Sequence, residues 1–310
     1  MKTGSMEESL RRPIMKKRTG DSLFSLLLLL PTVAITVIFI LIPVVDSVAK
    51  SFLNYKISNI ISNQAGIWNN FANYTKLFQN GKLLPSILVT FSFVIVVVLL
   101  QFLFGMVLAL ILNSNVKGNR LIRSVMMIPW VIPTVISALI WMWIYQPQYG
   151  LLKYLVSIFS AGKITDLAVL NDPHLALLGI CIAALWKQIP LTTLLLLAGL
   201  QNVPEDMLEA ATVDGAGKVV RFFKIIIPSI KSVINITLTM AIIENFKQFP
   251  LVWTMTGGGP DNATSTLAVL SYREAFVSNN FGSGAAVTTI WMLLMMVVVA
   301  LYNFFMKTDD

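Results

Sequence analysis

The segment Val203–Lys231, VPEDMLEAATVDGAGKVVRFFKIIIPSIK, is a polar interruption between two long apolar runs. It carries the acids Glu205, Asp206, Glu209 and Asp214 and the bases Lys218, Arg221, Lys224 and Lys231. Pro204 stands near a first helical position, and the acids after it fall in a first turn, where the positive end of a helix dipole favours them. Met207, Ala210 and Ala211 have helical spacing and predict one small apolar face. Gly215 and Gly217 end that helix and turn the chain. Val219, Phe222, Phe223 and Ile226 read as a second amphipathic stretch, closed by Pro228. A short helix with small residues on one face, held between two spans, suits a partner's groove. An ordinary loop lying on the membrane surface has the same pattern.

Outward from this segment the chain is apolar. Of 310 residues, 56% are hydrophobic and 12% charged, whereas soluble domains carry about a quarter charged residues. This is the composition of an integral membrane protein. Six runs reach the length of about 20 residues that a span needs. They lie near Leu23–Val45, Ser86–Leu112, Arg123–Tyr145, Leu175–Leu200, Ile230–Phe246 and Ser283–Phe305. The first resembles a secretory apolar segment, with Ser47-Val48-Ala49 as a weak cleavage-like site. It is too long for that role and is read as an anchor. The net charge of +8 does not point to nucleic acid, because the bases sit in short loops flanking the runs. Even-numbered loops and the termini hold 14 Lys and Arg, odd-numbered loops 8. The positive-inside rule therefore puts both termini and the Glu209 loop in the cytoplasm.

The expected organisation is a cytoplasmic tail over 1–22, the first span with an outer loop over 23–85, a core over 86–306 with the polar loop at 203–228, and a cytoplasmic tail over 307–310. The outer loop Asp46–Pro85 reads as a small capping segment, and Leu151–Phe159 as an amphipathic run at the interface. Cys181 is alone in an apolar run, so there is no disulfide framework. His174 is alone beside Pro173, and no metal site is expected. Gly215-Ala216-Gly217-Lys218 lacks the spacing of a P-loop, and Val219 stands where the Mg²⁺-binding hydroxyl would be.

The polar residues inside the spans are the remaining chemistry. An ionisable group at the bilayer centre costs about 2.5–3.5 kcal/mol on insertion scales, so it has a partner or a purpose. The fourth span holds Trp186-Lys187-Gln188 before Pro190. The fifth ends with Glu244-Asn245 and is followed by Lys247, Gln248 and Phe249. An ion pair between Lys187 and Glu244, holding two helices together, competes with a cavity-facing Lys187 that would suit an anionic substrate. A secondary carrier using a proton on Glu244 is an alternative function for the whole chain. Nothing assembles a nucleophile with a base, so no enzyme is expected.

Glu209-Ala210-Ala211, three residues, Gly215, nine residues, then Ile225 and Pro228 resemble the EAA loop of binding-protein-dependent ABC importer permeases, with Ile227 where the family has Leu. Trp253-Thr254-Met255-Thr256-Gly257-Gly258-Gly259-Pro260 resembles a second signature, of the carbohydrate-uptake, maltose-transporter (MalF-like) branch. The similarity runs from roughly Asn73 to Met306. It implies an all-α membrane protein with six transmembrane helices of the MetI-like permease fold and a cytoplasmic coupling helix. It implies a sugar importer in a bacterial or archaeal inner membrane, working by alternating access. The implied partners are a second permease in a heterodimer, an ATPase homodimer that binds ATP and Mg, and an extracytoplasmic solute-binding protein. The resemblance makes Glu209, Ala210, Ala211, Asp214 and Gly215 the ATPase-coupling residues. It puts the substrate at Lys187, Gln188, Glu244, Asn245 and Gln248, with Trp186 or Phe246 as a stacking ring. Gly257, Gly258, Gly259 and Pro260 would form an outer loop near the docked binding protein.

Overall fold

A computed structural model describes residues 19–114, 117–160 and 167–306. Most of the expected N-terminal tail and the C-terminal tail 307–310 lie outside the described residues. The chain divides into two units, residues 1–49 and 50–310.

The first unit carries α1 (Thr19–Thr36), a π-turn at Val37–Leu41 and most of α2 (Ile42–Ser51). Leu26–Ser51 is long and apolar enough to cross a membrane. It ends at Ser51, not at the expected Val45, because Asp46–Ser51 has no glycine or proline to stop it.

The second unit opens with β1 (Leu53–Asn54) and β2 (Ile67–Trp68), paired antiparallel around α3 (Ile57–Ile61), and α4 (Ala72–Gln79) follows. The buried Asn73 amide fastens this cap, donating to the carbonyls of Ser51 and Leu53 at 2.8 and 2.9 Å. Next come α5 (Leu83–Asn113), α6 (Asn119–Met126), α7 (Ile128–Val131), α8 (Thr134–Ile144) and α9 (Leu151–Phe159). They are followed by α10 (Ala176–Leu200), α11 (Glu205–Val213), α12 (Lys218–Arg221), a π-turn at Phe222–Ile226, α13 (Ile227–Ser229) and α14 (Lys231–Phe246). The chain finishes with α15 (Pro250–Thr256), α16 (Leu267–Tyr272) and α17 (Phe281–Phe305).

Besides the first-unit span, α5, α10 and α17 are each long enough to cross a membrane, and two bent pairs raise the number of spans to as many as six. The third expected span, Arg123–Tyr145, is not one rod: α6–α7 and α8 meet at 94°. Proline disfavours helical dihedrals in the residue before it, and Ile132 before Pro133 is extended at φ −61°, ψ 132°. The fifth span also differs from expectation. Pro228 does not close a helix but lies within α13, and the 73° bend comes after it, at Ile230.

In lipid there is little hydrophobic drive for one helix to leave the acyl chains for another, so close packing and polar ties hold a bundle together. Helix α5 packs along α10. Gly105 permits it: a Cβ there would lie 2.7 Å from Thr192 Cγ2. Phe93, Val97, Ile180, Phe246 and Leu251 centre one buried cluster. Met106, Leu112, Leu196, Leu200, Ile230 and Ile234 form another, at the end of α10 that leads into α11.

Candidate functional site

At the middle of α10 the bundle opens into a cavity of 620 Å³. Lys187, Gln188 and Thr192 of α10 face it, with Gln101 of α5 and Glu244 of α14. Gln248, just past α14, also lines it, as do Trp130 and Thr134 on either side of the break before α8. Four of the five expected substrate residues therefore share one wall.

The fifth, Asn245, lies behind that wall at 2% exposure. It exchanges two hydrogen bonds with Gln188: Gln188 Nε2 donates to Asn245 Oδ1 at 3.0 Å, and Asn245 Nδ2 donates to Gln188 Oε1 at 3.1 Å. Asn245 Nδ2 also donates to the Ala241 carbonyl at 2.8 Å and to Gln101 Oε1 at 3.3 Å. Gln101 Nε2 donates to Thr192 Oγ1 at 2.7 Å. These bonds tie α5, α10 and α14 and aim the free edge of Gln188 at the cavity. Gln101, Thr192 and Trp130 were not anticipated from sequence. Gln101 has a readable signal: it is one carboxamide deep inside a 31-residue apolar helix.

Of the two arrangements open to Lys187, the ion pair with Glu244 is not formed. Lys187 Nζ donates to the carbonyl of Trp130 at 3.2 Å and to that of Ile132. The reason lies in the broken span. The amides of Thr134 and Ile136, which an unbroken helix would offer to these carbonyls, belong to α8, beyond the 94° bend. An ammonium has three N–H donors, so one remains for the cavity. Glu244 pairs instead with Lys247 at 2.8 Å, one turn on, and both side chains are at least half exposed.

Neither expected stacking ring is on the wall. Phe246 is 2% exposed and packs edge-on against Phe91. Trp186 packs against Trp141, with centroids 6.0 Å apart. Trp130 is the aromatic residue that lines the cavity.

The expected coupling residues lie on α11 and in the turn that ends it. Its end is closed by a Schellman arrangement: Ala216 N–H donates to the Ala211 carbonyl at 2.9 Å and Gly215 N–H to that of Thr212 at 3.1 Å. Asp214 is the C-cap residue, and Gly215 takes the left-handed conformation at φ 79°, which glycine adopts without penalty. Arg221 Nη1 braces the turn by donating to Thr212 Oγ1 at 2.6 Å. Leu208 packs against the lower cluster, with Phe222 and Ile226. Glu209, Ala210, Met207 and Val213 are exposed, while Ala211 is half-buried. The outward face therefore does not include all of Ala211. In the second amphipathic stretch Phe223 and Val219 are 64% and 70% exposed.

In the second signature, Trp253 to Thr256 belong to α15, and the turn begins at Gly257 (φ 59°) and Gly258 (φ 95°). Thr264 Oγ1 donates to the Gly259 carbonyl at 2.8 Å, and Arg273 holds Asn262 at 2.7 Å. Among the described residues no cluster of His, Cys, Asp and Glu is arranged to hold a metal ion.

Residues 101–307 match the family model described as "Binding-protein-dependent transport system inner membrane component". The trehalose/maltose transport system permease protein MalF of Thermococcus litoralis is 32% identical over 287 residues, covering 93% of this chain and 95% of that protein. The sulfoquinovosyl glycerol transport system permease protein SmoG of Agrobacterium fabrum is 30% identical, covering 94% of this chain and 92% of that protein. In fold, the chain is similar to a subunit of the crystal structure of a bacterial alginate ABC transporter in complex with its alginate pentasaccharide-bound periplasmic protein. The TM-score is 0.79 at 18% identity, covering 93% of this chain and 95% of that one. A family model across the core helices, relatives aligned over almost the whole length and a shared MetI-like fold lead to one conclusion: the chain belongs to the inner membrane components of binding-protein-dependent transport systems.

Proposed function

We propose that this chain is one permease of an ATP-driven importer and passes a sugar or oligosaccharide through the cavity beside Lys187 and Gln188. The observation that carries this reading is the 620 Å³ cavity at mid-span, walled by carboxamides, hydroxyls and an ammonium. Carboxamides offer both donors and an acceptor, as sugar hydroxyls require. The names of the relatives support the class, since they include trehalose, maltose and a sulfoquinovosyl glycerol. The third N–H of Lys187 would favour an acceptor-rich or anionic sugar.

The chain itself catalyses no reaction in this reading. An ATPase pair binds ATP and Mg and docks on the exposed face of α11, with Glu209 as the charged anchor, Ala210 at the close contact and the Asp214–Gly215 turn fixing the angle. That side, with both termini, is cytoplasmic. A second permease completes the pathway, and an extracytoplasmic binding protein delivers the sugar. Movement of α11 would reach α14 through the rigid turn, and the helices would alternate between inward-open and outward-open.

The test is Gly215→Pro, which forbids φ 79° by fixing φ near −65°. Uptake into proteoliposomes holding the whole transporter should be abolished, with membrane insertion intact. Normal uptake by that variant would refute the coupling role.

A further inference from the structure

A second cavity, of 570 Å³, lies where α8 ends and the glycine loop begins. Trp143, Gln146, Tyr149, Asn171, Thr256 and Pro260 stand on its wall. It is near the N-terminal end of α10, whereas α11 follows the C-terminal end. That helix is about 37 Å long at ~1.5 Å per residue, so this cavity and α11 lie on opposite sides of a span.

The two cavities share two helices. Thr134 and Pro250 line the central one, Met142 and Met255 the second. These positions are about 12 Å apart along α8 and about 7.5 Å apart along α15. Between them α8 packs on α15, and Ser137, Ala138, Leu251 and Val252 are completely buried. The cavities thus stand in file, parted by a closed seam of small and aliphatic side chains.

Their chemistry differs. The central cavity holds Lys187, Glu244 and Lys247; among the described residues no charged side chain stands on the wall of the second. Trp143 and Tyr149 put two aromatic residues on its wall. Gln146 Nε2 donates to Tyr149 Oη at 3.3 Å, which leaves its carbonyl oxygen free to accept more. Flat rings beside carboxamides and a hydroxyl match a pyranose, which has an apolar C–H face and a rim of hydroxyls. The volume lies in the range that holds small ligands.

We propose that this outer cavity is a subsite for one pyranose ring of the transported saccharide, occupied before the α8–α15 seam opens to the Lys187 cavity. The proposal rests on the sugar-import reading. A ring held there cannot pass inward while the seam is closed, so its entry to the Lys187 cavity waits on the opening of the seam.

The experiment uses the complete transporter in proteoliposomes, with its binding protein outside and ATP available to the ATPases, and follows uptake of labelled neutral sugars (maltose, trehalose, glucose, lactose) and anionic ones (glucuronate, sulfoquinovosyl glycerol). No uptake of any of them by the unaltered assembly overturns the import reading itself, and this proposal with it. Once a transported sugar is found, the double variant Trp143→Ala, Asn171→Ala is compared with it. Sugars imported per ATP hydrolysed should fall about tenfold, the loss expected for a ring face and a hydrogen bond. ATPase stimulation by the binding protein should stay within about twofold, since α11 and the central cavity are untouched. Trp143→Phe, which keeps a ring, should restore most of the ratio. An unchanged ratio overturns the proposal. So does ATPase stimulation that falls in step with uptake, which would mark the cavity as a docking surface for the binding protein.

Discussion

Two spans of this molecule are bent, and they are bent in different ways. At Ile132–Pro133 the helical ladder is interrupted, and a side chain from another helix, Lys187, supplies donors to the stranded carbonyls. At Ile230 the ladder survives: Ile230 N–H donates to Ile226 at 3.1 Å and Ile234 N–H to Ile230 at 2.9 Å. A proline is near both bends. In the first it follows the extended residue directly, so the restriction on that residue falls at the break itself. In the second it sits two residues earlier, inside helix that continues past it. Backbone in a membrane must satisfy its polar groups within the protein or line a polar cavity. The first bend meets that demand through the cavity wall, the second through its own backbone. Of these two bends, the one that loses its ladder is the one beside the cavity.

Lys187→Met should break this contrast most strongly. It removes the donors at the first bend, and orphaned carbonyls cost roughly 1–3 kcal/mol. We expect a lower thermal-unfolding midpoint in detergent and near-complete loss of uptake, with Lys187→Arg retaining part of both. Comparing charged and uncharged sugars in the same variant tests the anionic reading; equal loss for both would leave Lys187 a purely structural donor. Pro133→Ala comes next. Returning the N–H and relaxing Ile132 lets the span straighten, so uptake should fall by about tenfold, while Pro228→Ala should stay within about twofold. Equal effects of the two would erase the distinction. Gln101→Leu should destabilise the bundle by about 1 kcal/mol, the scale of interhelical hydrogen bonds in membranes. Its signature is a raised KM for sugar as Asn245, which holds Gln188, loses a partner, with ATPase activity retained. Glu244→Gln should do least, because an exposed i,i+3 pair is worth under about 0.5 kcal/mol. Persistent ATP-driven uptake in this variant would set aside a proton carrier at Glu244.

Much of this was legible in the chain. The polar segment around Glu209 announced a short helix, and the structure supplies one, closed at Gly215 as two glycines in a polar run suggest. The amphipathic run Leu151–Phe159 is a helix with those same ends. Lys187, Gln188, Glu244 and Gln248 could be picked out because polar residues stand out against apolar spans. Pairing was not legible. Opposite charges allowed a Lys187–Glu244 pair as readily as a cavity-facing Lys187; in the structure Lys187 lines the cavity and holds carbonyls, and Glu244 pairs with Lys247. Asn245 and Gln248 are near neighbours in sequence, yet one is saturated behind the wall and the other lines the cavity. Phe246 looked available for stacking and is sealed in the core.

The sequence by itself determined that the chain is a helical membrane protein, roughly where its long apolar stretches lie, and which segment interrupts them. Those properties are additive along the chain: apolar length, charge at span ends, and the local demands of glycine and proline. Only the tertiary structure decided the 94° break, the placement of Lys187 against it, the Gln101–Asn245–Gln188 ties and the two cavities in file. Each of these depends on which helix faces which. Between helices in lipid that choice is made by close packing and by polar groups seeking partners, and apolar periodicity does not encode it.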